Sequence, residues 1–125
     1  YKRQIVIRPK ILRGQYAMTL EQLTAKVYQK LKDKDFGSEN GRLFAIQVNL
    51  TGKVGGVFYI EVLDGRLSVM PYEYIDRDAT LSMTMTNCCH ILTGRLDMQE
   101  AYHAGKVKIE GDLDKVLILT RLLMQ

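Results

Sequence analysis

Between Phe44 and Met85 the apolar residues of this chain fall on every second position, and on either side they return to helical spacing. Phe44, Ile46, Val48 and Leu50 alternate with Ala45, Gln47 and Asn49. Phe58, Ile60 and Val62 do the same, followed by Leu67 and Val69, and then by Leu81, Met83 and Met85 against Thr80, Ser82 and Thr84. Period two is the signature of half-buried strands. A sheet with one apolar face needs something to cover it, and the flanking segments supply helices. Leu20, Leu23, Val27 and Leu31 recur at helical spacing behind Thr19 and Gln22, the form of a capping box.

The punctuation agrees. Asp64-Gly65 predicts a tight hairpin, because a type I′ turn needs positive φ at both central residues. Thr51 to Gly56 reads as another hairpin connection, and Pro71 ends a strand. Asn87 is expected to cap a short helix running through Cys88 to Leu92 and stopping near Gly94. Asp97 and Glu100 predict a second helix ending at Gly105. Val107 and Ile109 form a last short strand, and Asp112 caps a final helix with Leu113, Val116, Leu117, Leu119, Leu122 and Leu123. The expected layout is α+β: about five strands, mostly antiparallel, with helices packed on one face.

A length of 125 residues with 46% hydrophobic residues allows one domain with a sizeable core. The net charge of +4 is uneven: Lys2, Arg3, Arg8, Lys10 and Arg13 precede any acid. Residues 1–18 are therefore set apart as a basic arm or linker, with at most transient contact to a membrane surface; such a charge run is more often simply a solvated face. Tyr1 in place of Met is expected of a trimmed or excised chain. No apolar run approaches the ~20 residues that span a bilayer. Adjacent Cys88 and Cys89 offer no disulfide framework, which favours a reducing, cytoplasmic setting.

No catalytic or cofactor constellation emerges. Cys89 and His90 are helix neighbours whose side chains diverge by about 100°, so they do not form a nucleophile–base pair. Cys88, Cys89, His90 and His103 lack metal-ligand spacing. The glycines Gly52, Gly55 and Gly56 match no phosphate loop, and no basic-aromatic pattern points to nucleic acid. Asp76, Asp78, Asp97, Glu100, Asp112 and Asp114 sit where carboxylates satisfy turns and helix starts. What remains is an apolar inventory with six methionines, flexible enough for an adaptable pocket, and a final helix that is apolar on nearly every side and must bury a second face.

The ordered landmarks are Gly56 to Ile60, Asp64-Gly65, Asp76 to Thr80, Leu92 to Asp97 and Ala104 to Asp112 before the last helix. Together they resemble the sterol-carrier-protein family over Thr19 to Leu123. The resemblance implies a non-catalytic domain over 19–125, without a cofactor, that shelters a fatty acid, acyl-CoA, sterol or phospholipid between sheet and later helices. Carried onto this sequence, it implies a lining of Phe58, Ile60, Leu81, Met83 and Met85 from the sheet. Leu92, Met98, Tyr102, Leu119 and Leu122 would come from the helices, with Tyr102 able to bond a polar head and Lys106 and Lys108 able to steer an anion. The basic arm departs from the family pattern, and Leu122 to Gln125 lacks the Ser-Lys-Leu-type address of peroxisomal members. The alternative is an accessory or dimerisation domain of a larger enzyme, partnered by an upstream domain or a second copy and holding no lipid.

Overall fold

The computed structural model describes residues 18–37, 40–53 and 55–125. The basic stretch from Lys2 to Arg13 lies outside the described residues, as does any membrane contact expected of it.

Helix α1 spans Leu20–Leu31 and starts as its sequence demands. The Gln22 N–H donates to Thr19 Oγ1 at 3.1 Å, and the Thr19 N–H donates to Gln22 Oε1 at 2.9 Å. Two otherwise orphaned donors are thereby satisfied. Strands β1 (Arg42–Thr51), β2 (Gly56–Leu63) and β3 (Arg66–Met70) form a meander. Asp64 and Gly65 turn between the last two with φ of 52° and 76°, as the type I′ geometry requires. Strand β4 (Ala79–Thr84), helix α2 (Met85–Leu92), helix α3 (Met98–His103), strand β5 (Lys108–Gly111) and helix α4 (Leu113–Met124) complete the order.

The sheet runs β3-β2-β1-β4-β5. Its pairs are antiparallel except β1 with β4, which are parallel. Cross-strand register places Phe44, Ile46 and Val48 opposite Val62, Ile60 and Phe58, and Val48 and Leu50 opposite Leu81 and Met83. One face is therefore continuously apolar. Leu23, Val27 and Leu31 of α1, Cys88 and Ile91 of α2, Met98 and Ala101 of α3, and Val116, Leu119 and Leu122 of α4 join it in the core.

Two expectations need correction. Helix α2 begins three residues earlier than the cap at Asn87 implies. Thr84 is the N-cap and accepts from the Asn87 N–H at 3.1 Å, so Met85 opens a helix and does not extend the strand. The second concerns the far face of the sheet, which half-buried strands with a single apolar face leave to water. The connection from Pro71 to Asp78 lies across that face instead. The Tyr74 ring meets Tyr59 edge-on at 5.0 Å, its N–H donates to Gln47 Oε1 at 2.9 Å, and its hydroxyl donates to Glu61. Gln47 is buried there, and Asp78 accepts from the Ala45 N–H at 2.7 Å and from Arg42 at 3.0 Å. The strand order explains this layer: β3 and β4 run in the same direction on opposite sides of β2 and β1, so no tight turn can join them and their connection must cross the sheet.

Candidate functional site

The core is not filled between sheet and helices. An apolar void of about 30 Å³ remains, lined by Val48, Phe58, Ile60, Leu81 and Met83 of the sheet, with Val27, Cys88, Ile91, Leu92, Met98, Leu119 and Leu123 of the helices. Strand alternation delivers the sheet residues to one side of it, and every helix contributes at least one side chain. The void is large enough for a water but offers it no polar partner, so it is dry.

Two surface depressions adjoin it, each through one shared side chain. The first, of about 260 Å³, lies between α3 and α4. Met98, Ile109, Leu113, Val116 and Leu117 form its apolar surface, and Gln99, Tyr102, His103 and Thr120 its polar fringe. Met98 also lines the void, so it borders both spaces. The second, of about 450 Å³ and more open, lies between α1 and α2 and is bounded by Ala25, Lys26, Gln29, Lys30, Leu92 and Thr93. Here Leu92 is the shared residue.

Of the residues expected to line a cavity, Phe58, Ile60, Leu81, Met83, Leu92, Met98 and Leu119 meet around the void. Tyr102 stands apart from them, on the fringe of the α3–α4 cleft, with 42% of its surface exposed. Met85 and Leu122 are buried and border neither the void nor the two depressions. Met85 was displaced by the early start of α2, which removes it from the strand alternation. Val27 was missed because its helical spacing reads as ordinary core packing. The second buried face expected of α4 is not found: Val116, Leu119 and Leu122 are buried, but Leu113 and Leu117 are exposed where they border the α3–α4 cleft.

The polar chemistry nearby is quiet. Burial, with a smaller contribution from Cys89, pushes the Cys88 thiol up to about 12. Burial also raises Cys89, opposed by Lys26. The described partner of Cys89 is the Met18 sulfur at 3.9 Å, not a histidine. Among the described residues no group of three His, Cys, Asp or Glu side chains is arranged to hold a metal ion. Lys106 and Lys108 are exposed, on the turn before β5 and on β5 itself, and border neither the void nor the depressions.

The family model described as the SCP-2 sterol transfer family matches residues 15–124. Sterol carrier protein 2 of Bos taurus is 28% identical over 103 residues, covering 80% of this chain. The chain spans only 19% of that relative's length. Among solved structures, palmitated SCP2L2 from Aedes aegypti superposes with a TM-score of 0.66 at 20% identity, covering 86% of this chain and 96% of that one. The sec-alkylsulfatase Pisa1 from Pseudomonas matches at TM-score 0.56 and 18% identity, over 79% of this chain and 14% of that one. At these identities the structural likenesses establish the fold.

Proposed function

The chain belongs to the SCP-2 sterol transfer family, and on that footing we propose that it binds a long-chain hydrophobic ligand and carries it chemically unchanged. The observation that supports this most is the apolar void between sheet and helices, which shares Met98 with the α3–α4 cleft. At about 30 Å³ the void holds no alkyl chain as it stands. Ligand pockets generally run from roughly 300 to 1,000 Å³. Uptake therefore requires side chains to move, and those in place suit that task. Met83 and Met98 are unbranched and adopt many rotamers. Leu92 and Leu123 are only half-buried. Each methylene removed from water contributes ~0.8 kcal/mol, which offsets the cost of opening the void.

In this reading Phe58, Ile60, Leu81, Met83, Leu92, Met98 and Leu119 surround the chain, Tyr102 sits at the cleft mouth, and Met85 and Leu122 support the wall. A fatty acid, an acyl-CoA, a sterol and a phospholipid all satisfy the apolar requirement. The palmitated Aedes aegypti structure favours a single acyl chain. The rival, an accessory domain packing α4 on a partner, is less well supported. This chain's own sheet already covers Val116, Leu119 and Leu122.

Native mass spectrometry after incubation with palmitate tests the proposal. A one-to-one adduct is expected, and its loss is expected in Met83→Gln, which places an amide against the void. An unchanged adduct in a Met83→Gln protein with wild-type circular dichroism would remove Met83 from the site. Absence of any adduct with wild-type protein, and with stearoyl-CoA and cholesterol in turn, would leave the accessory-domain reading.

A further inference from the structure

We propose that the depression between α1 and α2 receives the carboxylate end of a long-chain fatty acid, with Lys26 and Lys30 as its counter-ions and Leu92 as the plug its chain displaces. This rests on the reading that the void takes an alkyl chain, and adds to it the ligand's charge and its direction.

Three observations carry the assignment. The first is continuity. Leu92 borders both the open depression and the void, and Met98 borders both the void and the α3–α4 cleft. The void and the two depressions therefore lie next to one another, with Leu92 common to one pair and Met98 to the other.

The second is the contrast between its two mouths. Lys26 and Lys30 lie four apart on α1, on one face of the helix and one turn from each other. Their apolar stems can lie along the surface of Ala25 and Leu92 while both ammonium groups meet one carboxylate. The other mouth is bordered by Gln99, Tyr102, His103 and Thr120 and, among the described residues, by neither Lys nor Arg. The neutral, apolar cleft suits the tail, and the basic depression suits the head.

The third is that no described residue already engages these lysines. Among the described residues no carboxylate borders the depression. The ion pairs among the described residues are those of Arg42 with Asp76 and Asp78. Lys26 also acts on the Cys89 thiol, opposing the rise that burial causes, so its positive field reaches the α2 wall.

Equilibrium dialysis of the full chain against palmitate and hexadecanol separates charge recognition from chain burial. In Lys26→Gln/Lys30→Gln, palmitate binding is expected to weaken about tenfold, the size that two half-exposed ion pairs supply. Hexadecanol, which has the same tail and no charge, should change less than twofold. Lys26→Arg/Lys30→Arg should restore palmitate affinity, and added salt should weaken palmitate alone. If wild-type protein binds both ligands and the double variant loses neither, or loses both equally, the head-group assignment is overturned while the cavity reading stands. If wild-type protein binds neither, both fall.

Discussion

Cys88 and Cys89 are neighbours in sequence, yet α2 turns their side chains in different directions and gives them different chemistry. Cys88 is 6% exposed, and burial raises its thiol to about 12. Cys89 is half-buried, and Lys26 opposes the rise that burial imposes on it. Since the thiolate is the reactive form, Cys88 should resist alkylation in the folded protein at pH 8 and react only after denaturation. Cys89 should react in the folded state, more slowly than a free thiol. Timed alkylation with peptide mass mapping reads both rates; equal labelling of the two in native protein would contradict this account. At this scale some assignments were legible in the sequence and others were not. Thr19 with Gln22 and Asp112 announce their helices because their capping partners are close along the chain. Thr84 was hidden because an N-cap has extended backbone, so it closes a period-two strand and opens a helix with the same φ and ψ. Asn87, the next plausible cap, drew the helix start away from it.

At the scale of elements, the join between β5 and α4 is the tightest local arrangement. Gly111 has φ of +106°, and a Cβ built there would stand 2.5 Å from the Asp78 carbonyl oxygen and 2.8 Å from Ala79 Cα. Both obstacles are backbone. The Asp112 N–H donates to the same Asp78 carbonyl at 2.9 Å, so the approach of β5 to β4 and the start of α4 depend on one close passage. Gly111→Ala is expected to cost about 3 kcal/mol, from the combined strain of φ and overlap. Urea denaturation measures it; a loss below about 1 kcal/mol would mean that the passage relaxes easily. The alternating strands, the Asp64-Gly65 turn and the helix order were readable because each is written in local spacing. The layer on the far face was not. Tyr74 meets Gln47 and Glu61 across 27 and 13 residues, and no local period marks such a contact. The same reason divides the site: Phe58, Ile60, Leu81 and Met83 share a face by alternation, whereas Val27 joins them only through the packing of α1.

For the whole molecule, the void sets stability against binding. A core close-packed throughout would be more stable and would have nothing to yield to a ligand. The present core leaves about 30 Å³ among flexible side chains, with a half-buried leucine on one side and a methionine on the other. Val48 lines this space from the central strand β1 and is 2% exposed. Val48→Ile adds one methylene, about the volume of the void, while keeping the β-branched shape a strand accommodates. If the methylene enters the void, the empty protein should gain about 1 kcal/mol, from the apolar surface buried and the cavity removed. The added carbon must be moved again before an alkyl chain can enter, so palmitate affinity should fall by roughly the same free energy, about fivefold. The two changes are coupled through one small volume. Denaturation midpoint and palmitate dialysis on the same preparation therefore test it together. Higher stability with weaker binding is the expected pair. Higher stability with unaltered binding would place the ligand outside the void, and lower stability would show that the surrounding side chains cannot admit the methylene.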